Sequence, residues 1–491
     1  MSLRHVLMGL AGGVLLAGAA TGACASEDEG LAAPPPAPGT QTGIDPGALS
    51  LTAPAEVLRL QAAGRDPLMA LLDKMGWAKA LDDAGITLFG AIQASYTYNL
   101  SNPHQDHPPD PTDRIQLRMF DHHHARAAIN RIDLYAQRPV DYHAGKWDVG
   151  GLAEVQYGID AAMMHSNGLF DYDYYHNHAE PEYQFDVTQA FVDLAVPVGR
   201  GLRIRAGKFA TILGYESCDP IHTQAVQFYS RSFILSFGIP MYQTGAYATY
   251  DVNDNLTINA GITRGWEQSL SDNNAAIDFL GSVNWVINDR FTAYFGASVG
   301  PQLPDDSSHY RTLLEGILFF TPDPRGPWSF ALDGIVGFED NEIGPNSSTS
   351  SGYLEQHVSG SSADLTPNDR TPVGETFWAG IAGFGGYRVS ENFKLKGRAE
   401  WFHDEDGSRF RVPTENAVFT AGVMNDPWVT LGRPYNVFEF TFGADWHPFP
   451  HDARTLLVRP EVRVDYADRQ IFANGNDNFQ VTLAVDAIFR F

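Results

Sequence analysis

Residues 393–401 read FKLKGRAEW, and every second side chain of this stretch is charged. Successive side chains of a β-strand point to opposite faces of a sheet, so this period of two predicts a strand with one charged and one uncharged face. The same period recurs in about sixteen segments between residue 86 and the C-terminus. We predict strands at roughly 86–100, 129–139, 146–161, 186–196, 201–210, 242–251, 255–265, 277–287, 291–300, 309–320, 327–338, 376–389, 392–403, 435–447, 454–466 and 477–491.

The connections between these segments alternate between short and long. The short ones, such as VNDN and INDR, consist largely of the residues that hairpin turns require. The long ones cover about 101–128, 162–185, 211–241, 266–276, 301–308, 339–375, 404–433 and 467–476. A membrane barrel has short periplasmic turns and long external loops, and its closure leaves no sheet edge in lipid. The sequence therefore predicts an all-β fold, a transmembrane antiparallel up-and-down β-barrel of about 16 strands over residues 85–491.

The barrel interpretation decides where the two faces of each strand point. A Lys or Arg facing lipid would cost roughly 2–4 kcal/mol near the membrane midplane, whereas in a watery lumen it costs little. We therefore expect the charged face to line the lumen and the apolar face to meet lipid. Aromatic residues near the strand ends, among them Trp328, Tyr387 and Trp446, fit the aromatic belts of such barrels. Barrels of 16–18 strands leave an aqueous channel.

The N-terminal region divides into two parts. Residues 1–25 have a basic start, an apolar run over 6–20 and small residues at the cleavage position, which predicts a secretory signal peptide. Lipidation of Cys24 stays open. Residues 26–84 contain a Pro-rich linker followed by a short helical segment, interrupted at Pro67, which we expect on the periplasmic side.

Composition narrows the possible partners. The net charge of −26 argues against nucleic acid, since phosphate contacts need an excess of Lys and Arg. The mean hydropathy of −0.22 excludes a helical membrane protein. Only two cysteines occur, so removal of the signal peptide would exclude a disulfide framework.

Four stretches and the last residue carry a family resemblance. They are 76–99, 147–161, 207–217 and 228–250, with GKFATILGYE and FYSRSFILSFGIP as the specific part, and Phe491 at the end of the last strand. The region 85–491 resembles the OmpL-like β-barrel porins of the outer membrane. The resemblance implies an outer-membrane pore for passive diffusion of small hydrophilic solutes or ions, often as a homotrimer. It also implies that the loop at 211–241 folds inward and constricts the pore.

Charged residues supply the candidate functional site. By alternation, the bases predicted to face the lumen include Arg131, Arg203, Arg205, Lys394, Lys396, Arg398, Arg459 and Arg463. The acids predicted to face it include Asp133, Glu154, Asp193, Glu315, Asp333, Glu400, Glu439, Glu461 and Asp465. The loop at 211–241 carries Glu216 and Asp219. We hypothesise that these two acids oppose the basic wall and create a transverse field at the constriction. The alternative is that the luminal pairs are structural salt bridges.

Other functions remain as alternatives. His122, His123 and His124 are weak candidate metal ligands, because their spacing matches no known closed site, and we expect no cofactor. No catalytic motif is present, so we expect no enzyme, although an outer-membrane hydrolase stays an alternative. A carbohydrate-selective porin, and an adhesin or receptor acting through its long loops, are further alternatives. A soluble secreted sandwich is disfavoured by the asymmetry of the loops.

Overall fold

The computed structural model describes residues 65–101, 115–171, 183–218, 227–303, 305–340, 375–405, 409, 411–413, 428–430, 434–449, 455–473 and 477–491. All of them belong to one compact unit, Ile44–Phe491. The predicted signal peptide, the Pro-rich linker and Asp219 lie outside the described residues.

Sixteen strands form a closed barrel in which neighbours in space are antiparallel. Their bounds are Thr87–Asn99 (β1), Arg126–Arg138 (β2), Asp148–Gly158 (β3), Gln184–Val196 (β4), Leu202–Ala210 (β5), Tyr242–Asn253 (β6), Leu256–Trp266 (β7), Asp278–Asn288 (β8), Phe291–Pro301 (β9), Tyr310–Phe320 (β10), Trp328–Glu339 (β11), Thr376–Ser390 (β12), Phe393–Asp404 (β13), Tyr435–Trp446 (β16), Leu456–Ala467 (β17) and Phe479–Arg490 (β18). A separate two-stranded sheet pairs Arg411–Pro413 (β14) with Trp428–Thr430 (β15). The predicted fold class and strand number are confirmed.

The first and last strands close the barrel. β1 pairs with β18 from Ala91 opposite Arg490 to Asn99 opposite Thr482. The C-terminal residue extends this seam, because the backbone amides of Gly90 and Phe491 each donate to the other's carbonyl, at 2.7 and 2.9 Å. The ladder therefore has no free edge, as a sheet in lipid requires.

Exposure alternates along the strands as the two-face pattern predicts. On β16, Phe440 and Phe442 are 60% and 57% exposed, whereas Glu439 and Thr441 between them are buried. On β13, Lys396 is likewise buried, at 2% exposure. The apolar side chains thus cover the outside of the barrel and the charged ones face its interior.

Aromatic rings gather at the end of the barrel that carries the short turns. Phe320 of β10 stacks on Phe291 of β9 at 4.7 Å between ring centroids. Trp328 of β11 lies 5.7 Å from Phe330 and 4.6 Å from Tyr387 of β12. Phe291 and Phe320 are paired across neighbouring strands, as are Trp328 and Tyr387, which aligns their outward-facing rings into a belt.

Three short α-helices lie within the described part of the chain. Pro67–Lys74 and Ala78–Ala84 precede β1, and Ile159–Met163 follows β3. Pro67 begins the first helix, where its missing N–H costs nothing. The second helix meets the barrel where Arg138 Nε donates to the carbonyl of Ala84 at 3.1 Å. None of the described helices is long and apolar enough to cross a membrane.

The third helix begins where β3 was predicted to continue. Gly158 has φ 154°, and a Cβ at this position would lie 2.2 Å from the carbonyl oxygen of Asn130. Glycine permits this backbone conformation and the close approach of β2. The chain therefore turns inward three residues before the predicted strand end at 161, and it carries Asp160 into the lumen.

Candidate functional site

Residues 211–241, called the insert below, connect β5 to β6, and their described parts lie inside the barrel. The described parts of the insert are 211–218 and 227–241, and they include a π-helix at Ile234–Gly238. At one side of the barrel, Trp378 Nε1 of β12 donates to the carbonyl of Gly238 at 3.1 Å. At the other side, the hydroxyls of Ser95 on β1 and Tyr229 lie 2.6 Å apart. The insert therefore contacts two strands that are not neighbours in the barrel.

One side of the insert is held by apolar packing. Its buried residues Leu213, Phe233 and Ile234 belong to a hydrophobic cluster that includes Ile317 of β10 and Ile335 of β11. Each of these five side chains is at most 2% exposed. Burying a large apolar side chain stabilises by about 1.5–3 kcal/mol, so this cluster anchors the insert against the β10–β11 wall.

The first segment of the insert is also held by two wall carboxylates. Glu315 of β10 accepts hydrogen bonds from the backbone amide of Gly214 at 2.8 and 2.9 Å. Asp333 of β11 accepts one from the amide of Tyr215 at 3.3 Å. A buried amide needs a partner, and these carboxylates provide it.

Two more carboxylates hold the second segment. Glu400 of β13 accepts from the amides of Phe233 and Ile234, both at 2.7 Å. Glu461 of β17 accepts from the amides of residues 229–230 at 2.9 and 3.1 Å. All four carboxylates come from the face that the period of two assigns to the lumen. Their backbone contacts could not be read from the sequence.

Wall cations bind the carbonyls of the same segment. Arg398 Nη2 donates to the carbonyl of Arg231 at 3.0 Å, and Arg463 Nη1 donates to the same oxygen at 2.5 Å. Lys396 Nζ donates to the carbonyl of Gln227 and forms an ion pair with Asp445 at 2.5 Å. Since both backbone donors and backbone acceptors of the insert are bound, the wall fixes its path across the lumen.

Glu216, one of the two acids predicted at the constriction, lies inside the barrel at 2% exposure. Its carboxylate lies 2.9 Å from Arg398 Nη1 and accepts from the amide of Ser232 at 2.6 Å. Burial alone would raise the pKa of Glu216, but Arg398 and Arg231 outweigh it and lower that pKa. The carboxylate is therefore ionised and matched by a cation. Its proposed effect on passing ions stays a prediction.

Several other predicted bases lie in ion pairs within the wall. Arg131 lies 2.6 Å from Asp133 and also donates from Nη1 to the carbonyl of Cys218 at 2.7 Å. Arg205 forms a two-pronged pair with Asp193 at 2.8 and 2.9 Å. Pairing shows how these charges are tolerated in the interior, because buried charges need partners.

The last predicted bases lie on β5, β13 and β17. Arg459 makes the same two-pronged contact to Asp486, at 2.9 and 2.6 Å. Arg203 donates to Thr249 Oγ1 at 3.3 Å. Lys394 lies opposite Asp445 in the ladder, near the end of the barrel that carries the short turns. Thus Arg205 and Arg459 pair within the wall, whereas Arg131 and Lys396 both pair within the wall and touch the insert.

A second loop segment also enters the lumen. Arg118, which follows β1, is 2% exposed and lies 2.6 Å from both Asp121 and Asp465 of β17. Its Nη2 donates to Thr482 Oγ1 of β18 at 3.2 Å. Sequence reasoning missed Arg118, because no strand periodicity covers this loop. A lone arginine in a loop carries no signal of burial.

The three consecutive histidines do not converge on one point. Nδ1 of His122 lies 2.9 Å from the carbonyl of Met119, whereas Nδ1 of His124 accepts from the amide of Asn99 at 3.0 Å. Among the residues described, no group of three or more His, Cys, Asp or Glu side chains could hold a metal ion.

Comparison with known proteins identifies the relatives of this barrel. A family model described as "Putative beta-barrel porin-2, OmpL-like" matches residues 85–491. No curated protein matches the sequence. Among solved structures, the chain is similar to the outer-membrane channel DcaP of Acinetobacter baumannii, with 11% identity and a TM-score of 0.48 over 83% of this chain and 97% of that one.

Two further solved structures have similar scores. OprB of Pseudomonas putida shows 13% identity and a TM-score of 0.47, over 85% of this chain and 97% of that one. A loop-deletion mutant of OmpT from Vibrio cholerae shows 9% identity and a TM-score of 0.46, over 83% and 99%. Because the TM-scores of all three structures are below 0.5, these similarities add nothing to the family match.

Proposed function

Because this chain belongs to the "Putative beta-barrel porin-2, OmpL-like" family, we propose that the insert sets the aperture of a passive channel for small hydrophilic solutes or ions. The protein is a porin of the outer membrane. A porin works through the size and the field of its narrowest point. One observation carries the proposal. The insert crosses the lumen and its backbone is bound by side chains of β10, β11, β13 and β17.

We further propose that the protein catalyses no reaction. Many buried charged residues of the lumen, such as Arg398 and Glu461, bind one another or the insert backbone, which is what a fixed constriction requires. The sequence also shows none of the common hydrolase motifs.

The proposed partners are outer-membrane lipid and other copies of the chain. Outward-facing residues such as Phe440 and Phe442, together with the aromatic belt, support contact with lipid. Assembly as a homotrimer is what the family resemblance implies. The molar mass of the detergent-solubilised protein, measured by light scattering with the detergent contribution subtracted, would test it.

The domain boundaries complete the proposal. Residues 1–25 act as a signal peptide, and 26–84 lie on the periplasmic side of the barrel at 85–491. The contact between Ala84 and Arg138 supports this placement, because Arg138 ends β2 at the short turn before β3.

Solute uptake into proteoliposomes tests the channel. Vesicles containing the refolded wild-type barrel should swell with a pentose and swell more slowly, or not at all, with a trisaccharide. Faster swelling with a larger sugar than with the pentose would favour the carbohydrate-selective alternative. A folded barrel that admits no solute and no ions would contradict the proposal and favour an adhesin or receptor.

A further inference from the structure

Arg231 of the insert carries a buried charge that no described carboxylate pairs with. The residue is 3% exposed. Its Nη1 donates to Gln227 Oε1 at 3.2 Å and to the carbonyl of Phe228 at 2.9 Å. Its Nε is enclosed without a hydrogen-bond partner, and its Nη2 donates to no residue that the structure describes. Buried charges are normally paired, so this guanidinium is unusual.

The unused edge of Arg231 is the edge that binds carboxylates elsewhere in this barrel. Arg205 contacts Asp193 through Nε and Nη2, and Arg459 contacts Asp486 through the same two nitrogens. These parallel N–H groups match the two oxygens of a carboxylate. At Arg231 the same pair of nitrogens has no described acceptor.

The backbone of Arg231 is held in a conformation that few residues adopt. Its φ is 43°, a left-handed value that is strained for a residue other than glycine. Arg398 and Arg463 both donate to its carbonyl, which holds the strained residue in place. Strain of this kind persists where the surroundings enforce it, often at functional positions.

An acid without a described ion-pair partner interacts electrostatically with Arg231, as Glu216 also does. Asp160, on the helix after β3, is 2% exposed and accepts one side-chain hydrogen bond, from Asn130 Nδ2 at 3.3 Å. It forms no ion pair with a described basic residue. Asp160 and Arg231 nevertheless interact electrostatically. They are thus two opposite charges in the lumen, too far apart to form an ion pair with each other.

Polar and aromatic groups bridge the two charges. Asn130 Nδ2, which donates to Asp160, also lies 3.2 Å from the hydroxyl of Tyr229 and 3.3 Å from the carbonyl of Phe120. The ring of Phe120 lies 5.9 Å from Cζ of Arg231. A chain of contacts through Asn130 and Phe120 therefore connects Asp160 to Arg231.

We propose that Arg231 is the anion contact of the channel and receives the carboxylate of small organic acids, with Asp160 as the opposing charge. This inference rests on the channel function proposed above. It assigns the selectivity of the constriction to a residue on the insert. The wall bases, which already have partners, hold the insert in position.

Reversal potentials of single substitutions test the inference. In a potassium chloride gradient, Arg231→Gln should lower the anion-to-cation permeability ratio by roughly tenfold, because it removes a positive charge from a low-dielectric constriction. Arg290→Gln, in the exposed turn between β8 and β9, removes the same charge far from the lumen and should change the ratio little. A ratio in Arg231→Gln equal to that of Arg290→Gln overturns the inference.

The ligand class has its own measurement. Arg231→Lys keeps the charge and loses the two-pronged donor edge, so it should lower the acetate-to-chloride permeability ratio at least about threefold. An unchanged ratio would overturn the carboxylate assignment.

Asp160→Asn, which is nearly isosteric, covers the case in which the Arg231 variants do not fold. Above pH 7 it should raise the anion preference, and an unchanged preference would count against the pair. Absence of any current in the wild type would instead contradict the channel function.

Discussion

The guanidinium of Arg398 lies 2.9 Å from the carboxylate of Glu216, and this ion pair joins β13 to the insert inside the barrel. Arg398 also pairs with Glu439 of β16 at 2.5 Å. All three side chains are at most 1% exposed. Removal of one partner from such a pair leaves the other charged and unmatched in the interior, which is the costly change.

Arg398→Met should therefore destabilise the barrel by about 3–5 kcal/mol. The double variant Arg398→Met/Glu216→Gln should lose less than the sum of the two single losses, because it leaves fewer unmatched charges. Urea unfolding of the refolded protein in detergent micelles measures these free energies. Arg290→Met in the exposed turn is the control, and an equal loss in both methionine variants would contradict the role of the pair.

Glu400→Gln should loosen the insert. Glu400 accepts from two consecutive insert amides at 2.7 Å, one through each carboxyl oxygen, and the side-chain nitrogen of glutamine cannot accept the second hydrogen bond. We expect noisier single-channel current and a higher mean conductance than in the wild type. Glu391→Gln, in the exposed turn between β12 and β13, is the matched control. Identical current noise in the two variants would show that this carboxylate does not hold the insert.

The alternation of strand residues explains why the barrel could be predicted. A period of two assigns each side chain to one face, so the sequence alone predicts that Arg398, Lys396 and Glu400 are luminal. It did not reveal that Glu400 would bind backbone amides of the insert. Such contacts depend on the path of a loop, and loops lack a period.

Arg231 and Asp160 were missed for related reasons. Arg231 belongs to the insert, and nothing in FYSRSFILSF marks its left-handed backbone or its missing ion pair. Asp160 was placed in the predicted strand at 146–161, whereas the turn at Gly158 moves it onto a short helix. The glycine at 158 was the available signal, but glycine is common in these strands.

Phe440→Arg should impair insertion into lipid vesicles. Phe440 faces outward at 60% exposure, and an arginine there would cost roughly 2–4 kcal/mol if it lies near the midplane. The folded fraction, measured from the heat-dependent shift in electrophoretic mobility, should fall well below that of Phe440→Leu. Equal folding of the two variants would contradict the assignment of this face to lipid.

Anion preference should fall as pH rises through about 7. Burial raises the pKa of Asp160 to about 7, against the opposing effects of Arg131 and Arg231. The carboxyl is neutral below this pH and negative above it. Asn130 donates to it and Asp133 of β2 is the other nearby acid.

The wild-type reversal potential should move toward the cation value between about pH 5.5 and 8.5. Asp160→Asn should lack this shift, and persistence of the full shift in that variant would assign it to another group.

Single-channel conductance of an insert-shortened variant tests the central claim most directly. Residues 228–237 would be replaced by a glycine–serine linker, and folding would be checked by the heat-dependent mobility shift. If the insert sets the aperture, the folded variant should open in steps at least about twofold larger than those of the wild type. Steps of equal size in the two folded proteins would contradict the claim that the insert narrows this channel.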